Sequence, residues 1–138
     1  MKKIELKRVN NAVHLQATDE DGNIVNMDGS PEIGGENKGT RPMSLVLMAL
    51  AGCTSMDVLS MLQKMRQEVI DYDVKVEGER AEEHPMVFTK IHVHYILKGA
   101  LDAAKVEKAI NYSMDKYCSV THMLNKVAAI THSYEIIE

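Results

Sequence analysis

Residues 41–66 read RPMSLVLMALAGCTSMDVLSMLQKMR, and this stretch decides the fold. Pro42 suits a helix start, where its missing N–H would have had no partner anyway. From there Leu45, Met48/Ala49, Gly52/Cys53, Met56, Leu59 and Leu62/Met65 recur at helical spacing. The spacing predicts a long helix ending near Arg66-Gln67. Between Leu45 and Leu50 the helix is apolar nearly all round, which predicts burial on most sides. The nearly apolar run Leu45–Cys53 is about half of the roughly 20 residues that span a bilayer, and Asp57 follows soon after. The stretch therefore reads as a buried helix rather than a membrane anchor.

Upstream, residues 2–9 and 12–17 alternate apolar and polar positions (Ile4, Leu6; Val13, Leu15) and read as short strands around an Asn10-Asn11 turn. A third strand over Asn23–Met27 follows the Asp21-Gly22 turn signal. Residues 28–41, DGSPEIGGENKGTR, read as an exposed loop, long enough to suggest a functional segment. Downstream, Tyr72–Glu77 and Ile91–Leu97 alternate cleanly and predict an antiparallel hairpin, turning at Ala81–Pro85, with one face in the core. A second helix runs from an Asp102 N-cap to about Tyr117. A third begins near Cys118 and carries Val120, Met123/Leu124 and Val127. A strand over His132–Ile137 closes the sheet. The order β-β-β-α-β-β-α-α-β defines an α+β fold, read as one domain over residues 1–138.

One small sheet covers only one side of a helix that is apolar all round. The expected cover for the other side is a second copy of the chain, with this Met-rich helix central in a homodimer.

Composition narrows the function. The chain has 138 residues, 45% apolar and 26% charged, which is ordinary for a folded domain. Its net charge is −4, with no basic stripe, no Trp and one Phe, so nucleic acid is not an expected partner. Met1-Lys2-Lys3 is followed by Ile4-Glu5-Leu6-Lys7-Arg8, which lacks the apolar segment of a secretion signal; the expected location is the cytoplasm. In that setting two cysteines, Cys53 and Cys118, are not expected to form a permanent structural disulfide.

Three readings of the pair stand open: small buried core residues, a redox pair, or metal ligands. Gly52 and Ala51 beside Cys53 leave room for another element or a substrate to approach its sulfur. Cys118 falls at a helix N-terminus, where free N–H groups and the dipole stabilise a thiolate and lower its pKa. A redox pair would use one thiolate against a hydroperoxide O–O bond, with the second thiol condensing on the resulting sulfenic acid. Other residues carry weaker signals. His92 and His94 share the polar face of one strand, a spacing that can bind zinc, but no third ligand is close in sequence. His122 lies one helical turn after Cys118, as a base, a ligand or a spacer. Asp57, one turn after Cys53, reads as solvated or paired, and Arg80 as a surface partner of Glu79 or Glu82.

The segment Arg41–Arg66 resembles the central helix of the OsmC/Ohr family, the osmotically inducible and organic hydroperoxide resistance proteins. KYCSVTHML (Lys116–Leu124) resembles its second-cysteine segment, VFTKIHVHYILKG (Val87–Gly99) its hairpin strand, and THSYEI (Thr131–Ile136) its closing strand. The likeness covers most of the chain from about Asp28 and is close to the YhfA-like branch. It implies a swapped homodimer whose antiparallel sheets wrap two long central helices. It implies that Cys53 is the peroxidatic residue and Cys118 the resolving one, with organic hydroperoxides as substrates and a dithiol such as lipoamide as reductant. No metal, flavin or haem is implied.

The family places a Glu just after the Pro that opens the helix; here Met43 and Ser44 follow Pro42. The family also uses an Arg to hold the reactive thiolate. Arg41 is the candidate, with Arg8 second, although about three helical turns separate Arg41 from Cys53. Two function classes follow. One is a thiol-dependent hydroperoxide reductase; the other is a non-catalytic dimer that holds an apolar small molecule in its interface cavity, or a redox sensor. A metal-binding domain using Cys53, Cys118 and His122 is a third.

Overall fold

A computed structural model describes residues 1–138. The chain forms two compact units, Met1–Val46 and Leu47–Glu138. In the first, β1 (Glu5–Arg8), β2 (Leu15–Thr18) and β3 (Ile24–Met27) form an antiparallel meander. Each turn has a side-chain lock. Asn10 Oδ1 accepts the N–H groups of Ala12 and His14 between β1 and β2. Asp19 Oδ1 accepts those of Asp21 and Asn23 between β2 and β3.

The loop after β3 is organised from within. Asp28 is buried at its base, and its carboxylate accepts N–H groups from Gly29, Glu36 and Lys38 at 2.8, 3.0 and 3.1 Å. The bond from Glu36, then that from Lys38, hold this carboxyl below the usual carboxylate range. Gly35 packs so tightly in this loop that a Cβ there would lie 1.7 Å from the Gly29 carbonyl oxygen.

Helix α1 spans Pro42–Lys64, close to the expected bounds, and most of it belongs to the second unit. Its buried residues are Leu50, Thr54, Val58 and Leu62, one every four positions, so a single stripe faces inward. This differs from the expected burial on most sides. Met48, Met56 and Leu59 are exposed, Met56 by 74%. By length and composition α1 is also apolar enough to cross a bilayer. Thr54 and Asp57 at its middle, however, are hydrogen-bonded into the rest of the unit.

The sheet of this unit has strand order β4 (Asp71–Arg80), β5 (Phe88–Lys98), β6 (Ala129–Ile137). β4 and β5 are antiparallel, with Val74 opposite Tyr95. β6 starts three residues before the expected His132 and runs parallel to β5, with Tyr95 opposite Tyr134. The expectation of purely antiparallel sheets is thus corrected: the β5–β6 connection carries two helices and is long enough for a parallel crossover.

One face of β5 supplies the buried Phe88, Ile91, Val93, Tyr95 and Leu97. Val106, Ala109 and Ile110 of α2 (Ala103–Tyr112) are buried too. Each such aliphatic or aromatic side chain contributes about 1.5–3 kcal/mol when fully removed from water. Asp102 caps α2 as expected, its Oδ1 accepting the Ala104 N–H at 2.9 Å. The helix expected to reach Tyr117 instead changes winding at Ser113, and α3 (Ser119–Leu124) stops short of Val127. Arg80 does not pair with Glu79 or Glu82; its Nε donates to the Met86 carbonyl at 2.8 Å.

Candidate functional site

The two cysteines come together in the second unit. Cys53 is half-buried on α1, one residue before the buried Thr54. Gly52 beside it is exposed, with open space where a Cβ would stand. Cys118 is brought in by a break in helix winding. Ser113–Tyr117 form a π turn closed by the Cys118 N–H donating to the Ser113 carbonyl at 2.8 Å. π turns interrupt helices mostly where function needs a side chain re-aimed. Cys118 then leaves helical geometry and caps α3, its Sγ accepting the Thr121 N–H at 3.4 Å.

Cys118 is fully buried, and burial pushes its thiol up. The Thr121 hydrogen bonds act in the opposite direction, and Cys53, as hydrogen-bond and charge neighbour, raises it further. This corrects the expectation of a thiolate favoured by a helix N-terminus. α3 has only six residues and aims one N–H at the sulfur, too little to offset desolvation. The interaction with Cys53 also shows that the two thiols are neighbours, although 65 positions separate them in sequence. Both are free.

A buried chain of hydroxyls lies next to the pair. Thr54 Oγ1 is 2.6 Å from Tyr95 Oη and 2.7 Å from Ser113 Oγ. Ser113 Oγ donates to Asp57 Oδ2 at 2.9 Å. Thr54, Ser113 and Tyr95 are all 0% exposed. Burial raises the Tyr95 phenol, opposed by its Thr54 hydrogen bond, and the charges of Tyr72, Cys118 and Asp57 raise it further. The Tyr72 phenol, pushed up to about 12 by burial, donates to Ser55 Oγ on α1 at 2.9 Å. The sequence reading missed Thr54, Ser113 and Tyr95. A signal was there: Thr54 is the one polar member of the stripe Leu50, Thr54, Val58, Leu62, and Ser113 interrupts the apolar side of α2 in the same way.

Arg41 belongs to the first unit, and its carbonyl accepts the Leu45 N–H at 3.1 Å, opening α1. Arg8 is on β1 of the first unit. His92 and His94 are held by hydroxyls: His92 between Thr131 and Ser133 at 2.7 and 2.8 Å, and His94 on Ser133 at 2.7 Å with Glu135 at 3.6 Å. No group of three His, Cys, Asp or Glu is placed to hold a metal ion. The His122 Nε2 is buried without a hydrogen-bond partner. An open cavity of about 440 Å³ lies along α1, lined by Met56, Met61, Met65 and Tyr117 with Asp57 and Lys64 at its polar edge.

The α+β unit thus holds two free cysteines, one on α1 and one capping α3. A family model described as OsmC-like protein matches residues 35–133. The chain is 47% identical over 117 residues to Protein YhfA of Escherichia coli (strain K12), an alignment covering 84% of each. Its fold matches a hypothetical protein from Aquifex aeolicus VF5 with TM-score 0.82 and 30% identity, covering 100% of this chain and 98% of that one. It also matches an organic hydroperoxide resistance protein OsmC, predicted redox protein, from Legionella pneumophila, with TM-score 0.72, 15% identity, and coverage of 98% and 96%. The chain belongs to the OsmC-like family.

Proposed function

We propose that this protein is a thiol-dependent peroxidase that reduces organic hydroperoxides in the cytoplasm and acts as a homodimer. The observation that carries the reading is the adjacency of Cys53 and Cys118, close enough for Cys53 to raise the Cys118 thiol. The Cys53 thiolate attacks the outer oxygen of a hydroperoxide and expels the alcohol, leaving a sulfenic acid. The Cys118 thiol condenses with it, forming the disulfide and releasing water. An external dithiol such as lipoamide returns both thiols. The assignment fits the environments: Cys53 is the more accessible sulfur, and a buried Cys118 with a raised pKa suits a resolving thiol better than an attacking one.

The exposed apolar side chains support the dimer. Met48, Met56 and Leu59 on α1, with Tyr117, Met123 and Val127, are too numerous for a monomer surface. Packing α1 against its copy would cover them and place a partner's Arg41 within the assembly as the candidate thiolate-binding cation. Cys53→Ser is expected to abolish cumene hydroperoxide consumption. Cys118→Ser is expected to let Cys53 advance to the sulfinic acid, read by mass spectrometry. Full activity in Cys53→Ser would overturn the proposal.

A second reading has its own support. The Met-lined cavity beside α1 and the absence of a carboxylate after Pro42 favour a dimer that holds an apolar small molecule, with the thiols as a redox sensor. In that case both cysteine variants keep the ligand and the wild type consumes almost no peroxide.

A further inference from the structure

Asp57, Ser113, Thr54 and Tyr95 form a single directed hydrogen-bond chain, and elementary donor counting fixes its direction. Ser113 Oγ donates its one proton to the Asp57 carboxylate at 2.9 Å, with the Thr54 carbonyl as a second, longer acceptor at 3.4 Å, so none is left for Thr54 Oγ1. Thr54 must then donate to Ser113, and Tyr95 to Thr54. All three protons point toward Asp57, an arrangement in which each bond polarises and strengthens the next. The chain links three elements. Thr54 and Asp57 follow Cys53 on α1, one and four positions on; Ser113 opens the π turn whose closing bond is made by the Cys118 N–H; Tyr95 stands on β5.

We propose that these four are positioning residues for disulfide closure: the Asp57 carboxylate, through Ser113 and Thr54, locks the π turn of Cys118 against the Cys53 helix. The inference rests on the cysteine-pair reading above. The step served is attack of the Cys118 sulfur on the oxidised Cys53 sulfur. The S–S bond forms, the S–O bond of the sulfenic acid breaks, and the Cys118 proton leaves with the hydroxyl as water.

The test is the rate of Cys53–Cys118 disulfide closure at one fixed pH. It is triggered in parallel by cumene hydroperoxide and by the thiol oxidant diamide, which takes the two electrons and two protons itself. Thr54→Val keeps the shape and removes the hydroxyl; it is expected to slow closure about tenfold, the effect of one lost net hydrogen bond. Thr54→Ser restores the hydroxyl and should restore the rate. Asp57→Asn, at the partly exposed end of the chain, should likewise slow closure, and serves if Thr54→Val fails to fold. A folded Thr54→Val or Asp57→Asn with the wild-type rate would overturn the proposal. If diamide closes the wild-type pair with this variant order while peroxide leaves it untouched, the positioning role stands and the peroxidase reading falls. If neither oxidant closes the pair, both fall.

Discussion

At the scale of single residues, two groups show how local surroundings set chemistry. Asp28 has a buried carboxylate held chiefly by three backbone N–H donors. Its folded pKa is depressed, so the unfolded chain binds its proton more readily. The stability it supplies is therefore present above about pH 4, the ordinary carboxylate value, and is lost as pH falls through the folded pKa. Thermal melting should show wild type more stable than Asp28→Asn near neutrality, with the gap closing below about pH 4. A gap that stays constant down to acid pH would assign the effect to packing.

Cys118 behaves oppositely: burial and Cys53 both push its thiol up. Thiolate absorbance against pH should find Cys118 protonated at neutrality. In Cys53→Ser its pKa should fall, yet stay above the ordinary value because burial remains.

At the scale of elements, α1 has two faces with different work. Leu62 is fully buried and Met56 is 74% exposed. Leu62→Ala should cost about 2–5 kcal/mol in urea unfolding, the sum of lost transfer energy and a cavity. Met56→Ala should leave the fold of the chain intact and weaken self-association, read by sedimentation. If Met56→Ala costs as much as Leu62→Ala and leaves association unchanged, the two faces have been assigned wrongly.

The same helix shows what the sequence could and could not reveal. Its bounds followed from Pro42 and a helical period, and the strands β4 and β5 from their alternation. The parallel pairing of β6 was hidden, because alternation fixes which side chains share a face and carries no information on strand direction. The π turn at Ser113–Tyr117 was hidden as well, since the apolar spacing around Ile110, Met114 and Tyr117 fits an unbroken helix equally well.

At the scale of the whole molecule, the cysteine pair joins two segments far apart in sequence. The candidate pair itself was legible from Cys53 on a Gly- and Ala-flanked helix and Cys118 at a helix start. Its hydroxyl support was not, since Thr54, Tyr95 and Ser113 become neighbours only when α1, β5 and the π turn pack together. Arg41 was legible only as a cation near the helix start. The proposed cycle depends on adjacency of the two thiols, which one chain provides.

The most direct measurement is mass spectrometry of thiol state on the purified protein, before and after one equivalent of cumene hydroperoxide. The account predicts prompt conversion of Cys53 and Cys118 to an intramolecular disulfide that a dithiol reverses. Two thiols that stay reduced under excess peroxide would contradict it.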